Sequence, residues 1–441
     1  MKRPFVILPL FAVLVFAAFA YDSSVKQFAR VSAVPVGDGG MVACTHTAAP
    51  YCAWNSNQTG TYEIYGCAGS FDTGTFQCTG APACLTCGKD ATQFGYARAA
   101  GKGQPWFEPT NNKQINLWVS NPNYTTGRCA APRPGSGTCG DLWVMNINIT
   151  ASGATLTNPN PACSPSSPSA CLPNANITRI ADPASNGGHE GGALFGRYGG
   201  GLLWLSYRFG DRRPGACVIG AWEVRAFHYT DTDGVFRLGP EVTAVAAASR
   251  RMFPCNYIEM SGFYDTASGE FTFEAAPSGA RLWTNNIFGI SASGTIDTLV
   301  PWGAGPGAVS DCPWNEHANP DSSGAWMIWS SSHGATAGSY NGCVAFSPEL
   351  PLDKWMAPLT HPAPGHLGVD LSRAVRLTGF NVTGSPDRTF LCSVEGPCGT
   401  GPTARAFSGG YADILPNGQG VELVKHGIGN GTIFGFALKV H

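Results

Sequence analysis

Apolar and polar residues alternate with a period of two in short bursts along the whole chain: 115–119, 142–147, 202–207, 222–229, 272–274, 326–329 and 432–440. Alternation of this kind lays one side of a strand on a core, so the bursts predict strands, and convincing amphipathic helices are scarce. A recurring phrase organises them. A glutamate opens a short run, a turn rich in Gly, Asp, Asn or Pro follows, and a strand bearing aromatic residues closes it. The copies are 108–120 (EPTNNKQINLWVS), 190–206 (EGGALFGRYGGGLLWLS), 259–274 (EMSGFYDTASGEFTFE) and 316–331 (EHANPDSSGAWMIWSS). The opening glutamates Glu108, Glu190, Glu259 and Glu316 stand 82, 69 and 57 residues apart, and the late aromatics are Trp118, Trp204, Phe273 and Trp329. A strand–turn–strand unit at this spacing predicts a β-propeller, somewhat longer than the usual ~40–50 residues per blade. Third strands follow at 141–146, 222–227 and 286–290. The run 60–65 is the same third strand of a first unit beginning near 42–54, and 412–439 supplies the last. The expected fold is all-β, a six-bladed propeller, with five and seven blades left open.

The N-terminus changes where the chain belongs. Lys2 and Arg3 precede an apolar stretch over 4–20, and Ala18-Phe19-Ala20 fits a small-x-small cleavage site. This predicts a signal peptide over 1–20 and a single propeller domain over 21–441, secreted, with no membrane span after cleavage. A retained anchor is the competing reading, its apolar length lying at the short edge of a span. Sixteen cysteines agree with export, as do six N-x-[ST] sequons at Asn57, Asn123, Asn148, Asn176, Asn381 and Asn430. Each sequon needs a solvent-facing site to carry a glycan. Cysteines in near pairs, 44/52, 67/78, 129/139, 163/171 and 392/398, predict disulfide-stapled loops. Cys84 and Cys87 form the one C-x-x-C, without the second pair that a zinc site requires. Gly (57) and Pro (33) suit many tight turns, and the stretch 158–176 reads as a surface loop. With 13% charged residues and a net charge of −2, the chain has no electrostatic footprint for nucleic acid.

At Trp314-Asn-Glu-His-Ala318, Pro320-Asp321-Ser-Ser-Gly324 and Trp326-Met-Ile-Trp-Ser-Ser331 the sequence resembles the TolB-like (WD40-like) propeller repeat. Asp321 and Gly324 match its turn residues: the aspartate bonds its own turn amides and the glycine accepts positive φ. The turn types persist at 265–269. The aspartate is lost at 197–201, and 111–112 keeps neither residue. Phrases at 84–88, 103–106, 141–146, 259–263 and 314–317 look like one secreted branch of such proteins. The resemblance implies a fold and conveys no chemistry.

In such a repeat the glutamate opens the innermost strand, beside the central channel. Glu108, Glu190, Glu259 and Glu316 are then expected near one mouth, with His189 and His317 beside two of them. Carboxylates with imidazoles on one cavity suit a divalent cation or acid–base work on a sugar. A residue repeated in every blade is more often a structural fixture. Catalytic candidates are Glu190, Glu316, His189 and His317, and the two histidines are also the metal candidates. Glu108, Glu259, Trp106 and Trp314 are the candidate ligand contacts, the tryptophans because a flat apolar ring stacks on sugars. Trp204 and Trp329, inside strands, are expected to pack between blades. No G-x-S-x-G nucleophile elbow, P-loop or dinucleotide fingerprint occurs. The main expectation is a secreted binding protein whose channel mouth holds a glycan, glycoside, small molecule, peptide or protein. The alternative is a glycan-active hydrolase or lyase at the same mouth, with a divalent cation as the one cofactor the residues suggest.

Overall fold

The computed structural model describes residues 27–30, 42–47, 49–56, 63–70, 75–85, 114–120, 140–150, 153–157, 177–179, 195–209, 221–232, 235–253, 258–259, 262–275, 285–301, 314–321, 323–334, 351–399, 405–415, 419–425 and 431–437. The expected signal peptide lies outside them, as do the 158–176 loop and the pairs 129/139 and 163/171. Among the described residues no helix is long and apolar enough to cross a membrane.

The strands form antiparallel sheets standing one after another in a β-propeller. After β1 (Gln27–Arg30), the first sheet holds β2 (Val42–Cys44), β3 (Tyr51–Ser56), β4 (Glu63–Ser70), β5 (Gln77–Cys78) and β6 (Ala83–Cys84). The second holds β7 (Gln114–Ser120), β8 (Gly140–Thr150), β9 (Gly153–Thr157) and β10 (Ile177–Arg179). The third holds β11 (Phe195–Gly199), β12 (Leu202–Phe209), β13 (Ala221–Thr232) and β14 (Val235–Glu241). A helix follows, α1 (Thr243–Met252), seated on β13, where Arg250 makes a two-point bond to buried Glu223. The fourth sheet holds β15 (Ile258–Glu259), β16 (Tyr264–Asp265), β17 (Glu270–Ala275), β18 (Asn286–Ser291) and β19 (Ile296–Val300). The fifth holds β20 (Asn315–Pro320), β21 (Trp326–Ser331), β22 (Asp353–Thr360), β23 (Gly368–Val369) and β24 (Val375–Arg376). The last begins after a second helix, α2 (Pro386–Glu395), with β25 (Ser408–Ile414), β26 (Gln419–Lys425) and β27 (Gly431–Ala437).

Five sheets are thus each cut from one continuous run of chain, and β1 pairs with β27 to complete the sheet shared by the two ends. Each sheet touches the next, and β2 lies against β25 and β26, so first meets last and the circle closes. Closure matters physically, because each sheet buries its faces only against its neighbours.

Turn chemistry explains the hairpins. Asp321 Oδ1 accepts from the amides of Ala325 and Trp326, both at 2.9 Å, and Oδ2 accepts from the Ser323 hydroxyl at 2.6 Å. Gly324 follows at φ 71°, a conformation that a side chain resists. Asp265 repeats the device one sheet earlier, accepting from the Ser268 amide and hydroxyl, with Gly269 at φ 75°. In the third sheet, where the aspartate is missing, Gly200 and Gly201 both take positive φ.

The expected inter-sheet packing is present. Trp204 is fully buried on β12 and stacks on Phe271 of β17 with ring centroids 5.3 Å apart. Trp329 is buried in the next seam with Phe263, Ile287 and Val300. Disulfides join Cys44–Cys52, Cys67–Cys78 and Cys392–Cys398, three of the expected local staples, and Cys84 is also disulfide-bonded. The sequon at Asn381 needs correction. Its side chain is fully buried, Nδ2 donates to the Phe407 carbonyl, and Oδ1 accepts from the Phe407 amide at 2.8 Å. A glycan on that nitrogen requires solvent, so Asn381 is a structural clamp between the segment that precedes α2 and the residue that precedes β25. Asn57, Asn123, Asn176 and Asn430 lie outside the described residues, and Asn148 sits on β8.

Candidate functional site at the centre of the ring

Polar side chains from five sheets form one connected cluster. His46, just past β2, places Nε2 2.9 Å from Asp413 Oδ1 on β25, across a sequence gap of 367 residues. Asp413 Oδ2 accepts from the Cys44 amide at 2.7 Å. Arg197, on β11, feels the charges of Asp413 and of Glu274 on β17. Glu274, fully buried, accepts from the backbone amide of His317 on β20. His317 Nδ1 stands 3.3 Å from Glu316 Oε1, and Glu316 Oε2 accepts from the Trp314 indole N–H.

The local backbone explains how His317 is presented. The β20–β21 pairing slips between Glu316 and Asn319, and His317 adopts φ 59°, the one positive φ on a residue other than glycine among the described residues. Such a conformation costs of order 1–3 kcal/mol and persists only where the surroundings over-determine it; these positions concentrate at functional sites. Here the surroundings are the Glu274 carboxylate on its amide and the Asn319 side chain, which donates to its carbonyl at 3.0 Å. Behind it, Asn285 and Asn315 exchange amide-to-carbonyl bonds between the fourth and fifth sheets.

Electrostatics assign charge states. Burial pushes the Asp413 carboxyl up, but His46, Arg197 and the Cys44 amide outweigh it and leave it below its ordinary value. The Asp413 charge raises His46 above its ordinary value, against burial and the Arg197 charge. Burial brings the Arg197 guanidinium down to about 10, with Asp413 and Glu274 holding it from falling further. At neutral pH the centre therefore carries an ionised aspartate paired with an easily protonated histidine. Half of the His46 side chain is exposed, against 6% for His317, so the cluster opens to solvent on the His46 side.

The sequence-predicted residues fare unequally. Glu316, His317 and Trp314 fall within the cluster. Glu259 stands on β15, directly opposite Glu274 on β17. Glu108, Glu190, His189 and Trp106 lie outside the described residues. The second sheet contributes no described side chain to the cluster. Among the described residues no group of three His, Cys, Asp or Glu is placed to hold a metal ion. The repeated phrase does not single out His46, Arg197, Glu274 or Asp413. Glu274 had a signal: in EFTFE it shares a strand face with Thr272 and Glu270, a charged position in a strand otherwise reading as core.

No family model matches the chain, and no curated protein matches it. Solved structures similar to it include a Trypanosoma rangeli sialidase in complex with 2,3-difluorosialic acid, at TM-score 0.42 and 11% identity, covering 93% of this chain and 59% of that one. A Bacillus halodurans xylan β-1,4-xylosidase is similar at TM-score 0.38 and 10% identity, over 77% of this chain and 56% of that one. A Bacillus subtilis levansucrase variant is similar at TM-score 0.35 and 9% identity, over 81% and 90%. The chain thus spans little more than half the length of the sialidase and the xylosidase. The propeller rests on this chain's own strand pairing, and these likenesses add nothing about its chemistry.

Proposed function

We propose that this is a secreted, TolB-like propeller, released by cleavage after residue 20, whose central cluster receives a glycan and hydrolyses it. The observation that carries the reading is the convergence of His46, Arg197, Glu274, Glu316, His317 and Asp413 from five sheets onto one connected group. Four of the side chains have direct roles in glycoside hydrolysis. Trp314 offers an apolar face for a sugar ring, and its N–H ties that face to Glu316. Glu316 is the proton donor to the leaving glycosidic oxygen. Asp413, kept ionised by its neighbours, takes the proton from the water that attacks the anomeric carbon. Arg197 balances the acidic charge.

A second reading, binding without turnover, is favoured by one observation. Glu274 and Asp413 each spend an oxygen on the backbone amide of the next sheet, as structural staples do. The experiment is reducing-end release from a panel of plant, algal and fungal polysaccharides, run beside a glycan array. Hydrolysis lost about 100-fold or more in Glu316→Gln, with glycan still bound, supports the enzyme. Glycan binding without cleavage, lost in Trp314→Ala, supports the second reading. Neither cleavage nor binding overturns both.

A further inference from the structure

A second polar group lies in the seam between the fourth and fifth sheets, apart from the central cluster. The loop 361–367, between β22 and β23 of the fifth sheet, reaches across to the fourth. His361 Nε2 sits 3.0 Å from Asp265 Oδ2 at the end of β16. His366 Nδ1 sits 3.0 Å from Asp297 Oδ2 on β19, and the Leu367 amide donates to the same oxygen at 3.1 Å. Leu367 is buried with Phe263, Ile287 and Leu299, so the loop is anchored by an apolar plug as well as by polar bonds.

Beneath this crossing lies Glu270, the first residue of β17, fully buried. Neither of its carboxylate oxygens has a hydrogen bond of ordinary geometry, although the Leu367 amide lies close enough to favour the ionised form, and one of them presses on Gly289, the residue paired with Asp297. Its charged neighbours are Asp297 on β19 and Asp265 on β16, the two aspartates that the loop histidines hold. Two carboxylates cannot bond one another unless one keeps its proton. A proton on Glu270 makes it a donor toward Asp297, and burial followed by the Asp297 charge pushes Glu270 up to about 8, against the opposing pull of the Leu367 amide.

We propose that the loop 361–367 is a pH-operated strap across this seam: the proton shared by Glu270 and Asp297 keeps it docked, and loss of that proton releases it. Ionised together, the two carboxylates repel in a dry seam, and Asp297, which holds both His366 and the Leu367 amide, is the group best placed to move. The strap is held by β16 and β19 and crosses the Glu270 end of β17, whose other end carries Glu274 of the central cluster, so release loosens a strand that both regions share.

Hydrogen exchange of the folded protein tests this through the Leu367 amide, corrected for the intrinsic pH dependence of exchange. Opening linked to the loss of one proton predicts a protection factor that is flat at low pH and falls about tenfold per unit above roughly pH 8. Glu270→Gln donates to Asp297 at every pH and should abolish the fall. Should that variant fail to fold, Asp297→Asn removes the repelling charge and should abolish it too. Constant protection of the wild type from pH 6 to 9, or an unaltered fall in either variant, overturns the proposal.

Discussion

Replacing Asp321 by alanine tests whether turn chemistry, rather than strand pattern alone, sets the hairpin that presents the site. Asp321 is nearly buried and holds the hydroxyl of Ser323 and the amides of Ser323, Ala325 and Trp326 at 2.6–3.2 Å. A hydrogen bond to a charged acceptor contributes about 1.5–3 kcal/mol net. Ser323 and Ala325 are exposed and can turn to water, whereas Trp326 is half-buried on the first residue of β21. The expected loss is therefore about 2–4 kcal/mol rather than the sum over all bonds. Gly324 at φ 71° bears on the same turn, and Gly324→Ala should cost about 1–2 kcal/mol. Asparagine keeps the Oδ1 acceptor for the Ala325 and Trp326 amides, so Asp321→Asn should cost less than alanine. Urea unfolding gives the global loss. Amide exchange at Trp326 localises it, since 2–4 kcal/mol speeds local opening about 30- to 900-fold. An Asp321→Ala variant within 0.5 kcal/mol of wild type, with unchanged exchange at Trp326, would show that these bonds do not set the hairpin.

Four further outcomes are expected. Stability should peak at about pH 4–6. Asp265 and Asp413 lie below their ordinary values, so their contribution is lost as pH falls through the acid range. Glu270 at about 8 and Asp353 at about 7 are raised, so theirs is full below the ordinary carboxyl range and fades as pH climbs toward 8; that of His46, also raised, fades above 6.5. A urea midpoint that is highest above pH 7 would contradict this. Trp204→Ala should lose about 3–5 kcal/mol, because it removes the stack on Phe271 and the bond to the Gly199 carbonyl; a loss under 1 kcal/mol in urea unfolding would show that this seam is not set by the ring. Peptide mapping should find Asn381 unglycosylated, and Asn381→Ala should lose about 2–4 kcal/mol by stranding the Phe407 amide and carbonyl. Replacing Cys44 and Cys52 together by serine should cost about 2–3 kcal/mol in urea unfolding through the short loop they close.

What the sequence made legible was local. Period-two bursts placed strands, and the Asp–Gly turn at 321–324 and its weaker copy at 265–269 are visible without a structure because the turn supplies its own reason. Alanine-rich α1 has no clear local signature, since its stabilising contacts, Ser249 with Val224 and Arg250 with Glu223, lie on a strand some twenty-five residues away. The central cluster was half legible. Glu316, His317 and Trp314 stood out because they adjoin a recognisable hairpin. His46 and Asp413 could not, because ring closure makes them neighbours and nothing local in either segment records the other. Glu274 is masked in the sequence by Glu259, its partner across the β15–β17 pair, because the repeated phrase marks the residue that opens the strand. Asn381 shows the converse failure: a three-residue motif says nothing about burial.

Under the proposed function, sugar binds at the cluster where five sheets meet. A crystal structure of the protein with an oligosaccharide identified on the array decides this. The expected result is a sugar ring against Trp314, with its glycosidic oxygen within hydrogen-bond reach of Glu316 and its anomeric carbon facing Asp413. An oligosaccharide seated on an outer strand or a rim loop, with the central cluster untouched, would contradict it.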